Sequence, residues 1–121
     1  TMEKKTLVLG ASLNDDRYSN RAIRALRQHD QPVVAVGLRE GEVAGVPIVK
    51  TIPEGLIVDT VTMYLNAYNQ KAWEQAVLAL KPKRIIFNPG AENPELAAMA
   101  KAQGAETLDA CTLVMLATGQ F

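Results

Sequence analysis

A chain of 121 residues with 48% hydrophobic and 21% charged residues has the length of one domain and a composition that excludes disorder. Thirteen Lys plus Arg balance thirteen Asp plus Glu, so there is no net field to draw in nucleic acid or an acidic membrane surface. A single cysteine, no charged-then-apolar leader before the first expected strand, and no apolar run near the roughly 18 residues of a membrane span point to a soluble protein of the reducing cytoplasm.

Lys5 to Gly10 is a short β-rich run ending in glycine, and Ser19 to Asp30 follows with Ala22, Ile23 and Leu26 at helical spacing. Pro32 to Gly37 is a near-continuous apolar run, as expected of a parallel strand covered on both faces. A long connection from Leu38 to about Val58 carries Gly41, Gly45, Pro47, Pro53 and Gly55, with Ile48-Val49 as at most a short extra strand. A loop of that length often serves a ligand. Val58 to Leu65 alternates Val61, Met63 and Leu65 against Thr60, Thr62 and Tyr64 and reads as the third main strand.

From about Ala67 to Leu80, Trp73, Ala76, Val77 and Leu80 fall at i, i+3, i+4 and i+7, which predicts one amphipathic helix closed by Pro82. Arg84 to Asn88 gives a fourth strand. Asn93 before Pro94 reads as cap and first residue of an Ala-rich helix that stops at Gly104. Glu106 to Asp109 is a last short strand and Ala110 to Thr118 a last, apolar helix. Strands alternating with helices predict one doubly wound Rossmann-like α/β domain over residues 1–121. Its sheet should be mainly parallel and five-stranded, in the order 3-2-1-4-5, with helices on both faces.

In such folds ligands bind beyond the carboxyl ends of the strands, where the strand order reverses, which is beside Gly10. The turn Gly10-Ala11-Ser12 offers small side chains, so backbone N–H groups can approach a phosphate at a helix start. Arg17 adds a charged fork, and Ser19 is either a ligand contact or simply a helix cap. The nicotinamide fingerprint is absent, because Ser12 and Asp15 stand where its later glycines belong. The second strand ends in Gly37-Leu38-Arg39 rather than in a ribose-binding acid, and Arg39 suits a phosphate. Leu65-Asn66 and the loop Asn88-Pro89-Gly90-Ala91-Glu92-Asn93 are further candidates for lining the cleft.

Groups able to do chemistry are few. His29 falls at the far end of the first helix, as a surface or capping residue. Cys111 opens the last helix with no second cysteine or nearby histidine in sequence to activate it, and reads as an inert thiol. No cluster has metal-ligand spacing and no serine sits in a nucleophile elbow. The chain is therefore not expected to be an enzyme.

Gly10-Ala11-Ser12 after the first strand, Arg17 and Ser19 behind it, Asn88-Pro89-Gly90-Ala91-Glu92 after the fourth strand and the late Cys111 together resemble the small stand-alone CoA-binding proteins. These are similar to the amino-terminal domain of the succinyl-CoA synthetase α subunit. The resemblance covers almost the whole chain. It implies that CoA or an acyl-CoA is held at the Gly10-Ala11-Ser12 turn and the loop after the second strand, with Arg39 on phosphate and Leu65-Asn66 beside the cleft. Two positions depart from the family pattern: Gly37-Leu38 replaces an Asn-Pro pair, and Met115 stands where an acidic residue is common. In the synthetase, catalysis needs a phosphorylated histidine from a second domain and a partner subunit, so the resemblance is not expected to extend to synthetase activity. The leading expectation is non-catalytic binding of CoA, acyl-CoA or a related nucleotide. The alternatives are a small nucleotide-cofactor enzyme and a degenerate scaffold for protein interaction. An apolar last helix leaves a homodimer open.

Overall fold

The computed structural model describes residues 4–121, which form, in chain order, β1 (Thr6–Ala11), α1 (Tyr18–Gln28), β2 (Val33–Gly37), β3 (Gly41–Val43), β4 (Val46–Val49), β5 (Thr60–Met63), α2 (Ala67–Gln70), α3 (Glu74–Ala79), β6 (Arg84–Phe87), α4 (Pro94–Ala102), β7 (Glu106–Asp109) and α5 (Thr112–Ala117). One sheet runs β3-β4-β2-β1-β5-β6-β7. Every neighbouring pair is parallel except β3 with β4.

Alternation along the strands builds two apolar layers. Leu7, Leu9, Val61, Met63, Ile85 and Phe87 face α3 and α4, where Val77, Leu96 and Ala100 close the core. On the other face Val8, Ala35 and Ile48 meet Ile23 and Leu26 of α1 and Leu116 of α5. Helices thus cover both faces, and β1, β5 and β6 are buried because they lie between them. At the start of α4, Asn93 Oδ1 accepts the N–H of Leu96 at 3.2 Å and Pro94 is the first helical residue. Gly104, at φ +91, follows the end of the helix in the left-handed region.

The sheet corrects the expected five strands in the order 3-2-1-4-5. It has seven, and the strand expected third is β5, which pairs with β1 on the side away from β2. The place beyond β2 is taken by β4, which includes the Ile48-Val49 expected as at most a short extra strand in the long connection. Ala44 at φ +51 and Gly45 at φ +80 make a two-residue turn of the kind that matches hairpin twist, and it joins β3 to β4. β3 therefore serves as the return path between the parallel strands β2 and β4. With β4 counted, the expected reversal of order at β1 holds. β5 is also shorter than the Val58 to Leu65 run, since Tyr64 and Leu65 already belong to the turn beyond it.

The helix expected from Ala67 to Leu80 is broken into α2 and α3. Lys71 N–H bonds the Tyr68 carbonyl and Trp73 N–H the Gln70 carbonyl, i to i−3, so the regular ladder lapses between them. The apolar spacing from Trp73 onward is genuine, but residue 70, which shares that stripe, is a fully buried glutamine with polar partners of its own. No helix is long and apolar enough to cross a membrane among the described residues.

Candidate functional site

The strand order reverses between β1, whose chain continues to β2 on one side, and β5 on the other. At the carboxyl end of β1 the register skips Gly10, a bulge in which Leu9 faces Val36 and Ala11 faces Gly37. Gly10 has φ +97, and a Cβ there would stand 3.1 Å from the backbone of Tyr64 and Leu65. A Cβ on Gly37 would run into the Ala11 carbonyl oxygen. The two glycines let three backbone segments converge: Gly10-Ala11-Ser12, Gly37-Leu38-Arg39 and the turn at Leu65-Asn66.

Ser12 is pinned from behind. Asn20, fully buried in the first turn of α1, donates to the Ser12 carbonyl at 3.0 Å, and its Oδ1 accepts from Arg24 Nε at 2.9 Å. Ser12 Oγ accepts from the Asn14 N–H, and Asn14 Oδ1 from the Asp16 N–H, so the loop before α1 is held by its own short side chains. Arg17 takes the cap position of α1 with extended backbone, and no side chain accepts from the first-turn N–H groups. Ser19 is therefore not the cap; it is the second residue of the helix and is buried. Arg17 and Arg39 both have exposed side chains.

The turns after β5 and β6 are joined by buried amides. Gln70 Nε2 donates to the carbonyls of Leu65 and Ala91, both at 2.7 Å, and Gln70 Oε1 accepts from Asn93 Nδ2 at 2.8 Å. The second proton of that Asn93 amide goes to Glu74 Oε2 at 3.0 Å. Asn66 is exposed and caps α2, accepting the Asn69 N–H at 2.8 Å. Gly90, at φ +90, is exposed at the loop tip, and its N–H donates to Glu92 Oε1. Asn88 faces inward: its Nδ2 donates to Thr62 Oγ1 and the Met63 carbonyl, and its Oδ1 accepts the Thr112 N–H. With all three contacts made below the surface, Asn88 supports the cleft by joining β5, β6 and α5.

Beside Asn88, Thr62 and Thr112 share a hydroxyl–hydroxyl bond of 2.7 Å. The Tyr64 hydroxyl is buried there without a hydrogen-bond partner. Burial pushes this phenol up to about 12; the nearby Thr62 and Thr112 hydroxyls oppose the rise and Cys111 adds to it. Cys111 is half-buried at the cap of α5, a helix whose Thr112, Met115 and Leu116 are buried. His29 ends α1, exposed, with Nδ1 2.8 Å from the Ala25 carbonyl.

Spacing alone does not find Asn20 or Gln70, yet each carries a signal. Asn20 stands three residues before Ile23 and Gln70 seven before Val77, so each is a polar residue on an apolar stripe.

An indentation of about 360 Å³ lies at the other end of the sheet, among Lys4, Asp59, Lys83, Arg84, Glu106 and Phe121 at the amino ends of the strands. Its charges are of both signs. Arg84 is already held by Thr60 Oγ1 at 3.1 Å, the Phe121 carbonyl at 2.8 Å and the Phe121 ring, whose centroid is 4.5 Å away. The carboxyl ends offer uncapped helix N–H groups and close backbone approach, and these decide in their favour. Among the described residues no group of three His, Cys, Asp or Glu side chains converges as a metal site.

The sequence matches the CoA binding domain family over residues 4–117. The search of curated proteins finds no match. Among solved structures, the fold is similar to that of an uncharacterized protein with 45% identity and a TM-score of 0.93, covering 100% of both chains. It is also similar to cell-free ID.343 from Thermus thermophilus, with 24% identity, a TM-score of 0.85, and 98% of this chain and 91% of that one covered. A third likeness is to one part of the dinucleotide-forming acetyl-coenzyme A synthetase 1 of Ca. Korarchaeum cryptofilum, with 14% identity and a TM-score of 0.72. It covers 87% of this chain but 25% of that one, and at such identity the likeness concerns the fold alone. With its strand order, its glycine-lined reversal point and a match spanning nearly all of its length, the chain belongs to the CoA-binding domain family.

Proposed function

We propose that the chain binds CoA or an acyl-CoA at the carboxyl ends of β1, β2 and β5, and that it does so without turnover. The observation that carries this reading is the convergence at Gly10 and Gly37, where backbone approaches backbone and the uncapped start of α1 stands behind. A phosphate placed there meets N–H groups and positive dipole character, and the exposed guanidinium groups of Arg17 and Arg39 come from the two loops that flank it. Turnover would need an acid–base pair in reach of the ligand. His29 is instead at the opposite end of α1, and Asn88 is fully engaged in packing contacts.

Isothermal titration with CoA, acetyl-CoA, NAD and ATP tests the reading. CoA species bind most tightly, and Arg17→Ala and Arg39→Ala each weaken CoA by several-fold, about 1 kcal/mol per exposed charge-assisted contact. A folded protein that gives no heat with any of the four ligands refutes CoA binding and leaves a scaffold for protein interaction.

A further inference from the structure

β7 stands at one edge of the sheet, with β6 as its neighbour on the inner side. The parallel ladder fixes which of its backbone groups are used. The Glu106 N–H goes to the Lys83 carbonyl and the Ala110 N–H to the Phe87 carbonyl, so Glu106, Leu108 and Ala110 turn their backbone groups toward β6. Thr107 and Asp109 turn theirs away from it, and among the described residues no strand meets them. Ile85 stands opposite Thr107 and Phe87 opposite Asp109, so these two side chains share the face that α4 covers. A groove of about 300 Å³ runs there between helix and strand, lined by Ala97, Ala98, Lys101, Thr107 and Asp109. The chain leaves α4 just after Lys101 and turns into β7, which puts Lys101 at the Thr107 end of the groove.

An edge with two outward residues can pair with itself. Two copies set antiparallel about a two-fold axis at Leu108 bring Thr107 opposite the partner's Asp109 and Asp109 opposite the partner's Thr107, which makes four N–H···O=C bonds. Neighbouring registers are poorer. An axis at Asp109 sets two carboxylates directly opposite each other, and one at Thr107 calls on the Ala105 N–H, which is already given to the Ala100 carbonyl. With the axis at Leu108, Glu106 faces the partner's Ala110, and no acid opposes an acid. The half-buried Leu108 meets the partner's Leu108 in a close pair on the other face of the sheet. Lys101, beside Thr107, faces the partner's Asp109, and both residues are exposed. The small Ala97 and Ala98 leave room for the two α4 helices to lie side by side.

We propose that β7 is the interface of a two-fold homodimer, in which a second copy continues the sheet through an antiparallel β7–β7 pair and Lys101 meets the partner's Asp109 on each side of the axis. The dimer does not depend on what binds at the carboxyl ends of the strands.

Sedimentation of the wild-type chain over a concentration series gives monomer and dimer without larger species, since a two-fold contact uses up the edge. Thr107→Pro removes an N–H that points out of the sheet and leaves the β6 ladder in place, so the variant folds, and it weakens the dimer by about 100-fold or more. Lys101→Asp weakens it by about ten-fold, and adding Asp109→Lys restores it to within about three-fold of wild type. Amide hydrogen exchange gives a reading that needs no variant: the Thr107 and Asp109 amides slow as the dimer forms, while those of Glu106 and Leu108 are slow at every concentration. A wild-type chain that stays monomeric throughout the series overturns the proposal. So does a dimer that a folded Thr107→Pro leaves intact, one that the charge swap fails to restore, or one whose Thr107 and Asp109 amides exchange as fast as in the monomer.

Discussion

At Gly37 there is no room for a single methyl group, because the Ala11 carbonyl oxygen occupies the direction a Cβ would take. Gly37→Ala therefore forces β1 and β2 apart at the site and costs about 2 kcal/mol, read as a lower denaturant midpoint at unchanged slope. Tyr64 makes the opposite case. Its buried hydroxyl lacks a partner, so Tyr64→Phe removes an unmet polar group and is neutral to slightly stabilising at pH 7, within about 1 kcal/mol. The sign reverses nothing but adds a pH dependence. The folded phenol ionises near 12 and the unfolded one near 10.0, so the unfolded state alone loses its proton between those values. Stability from this residue is complete below pH 10 and falls as pH rises toward 12, by at most about 2–3 kcal/mol at roughly 1.4 kcal/mol per unit. Chemical denaturation at pH 9 and pH 11.5 should show Tyr64→Phe gaining on the wild-type chain at the higher value; a constant difference would mean the phenol is not desolvated in solution.

Elements were legible where one period of hydrophobicity governs the whole segment. The runs at Leu7–Leu9 and Ile85–Phe87 are buried on both faces, as are Ala35 and Val36 of β2, and all three could be read as parallel strands, while Asn93-Pro94 announced a helix start by its own chemistry. The hairpin between Leu38 and Val58 was not legible because its turn is Ala44-Gly45, and alanine gives no warning of φ +51. Asparagine tolerates the left-handed region far better, so Ala44→Asn stabilises the hairpin by about 0.5–1 kcal/mol. A melting temperature that rises by a few degrees with ligand affinity unchanged would bear this out. Loss of stability would mean the turn is not of this type. The break between α2 and α3 escaped the periodic reading for a related reason: the stripe continues through Gln70 geometrically, while its amide satisfies two carbonyls outside the helix. At the site, the glycines and arginines were visible in the sequence, whereas Asn20, Tyr64 and the Gln70–Asn93–Glu74 network depend on contacts between distant segments.

The whole molecule carries no net charge, so attraction of an anionic ligand must come from local groups rather than from a long-range field. Two kinds of local group are on offer, and salt tells them apart. Arg17 and Arg39 are exposed, so their contribution is screened when the Debye length shrinks from about 10 Å at 0.1 M to about 3 Å at 1 M ionic strength. Backbone N–H groups at the start of α1 and close packing around Gly10 act at contact distance and are screened far less. CoA at 100 times its dissociation constant stabilises the folded chain by about 2.7 kcal/mol, an upward shift in Tm of about 10 °C for a domain of this size. In 1 M salt that shift should contract without vanishing, and with Arg17→Ala and Arg39→Ala combined it should become nearly independent of salt. A shift that disappears completely in salt would mean that the arginines alone hold the ligand and that the glycine-lined turn has no part in binding. One that ignores salt in the wild-type chain would remove Arg17 and Arg39 from the site and leave the backbone of the reversal point as the whole of the grip.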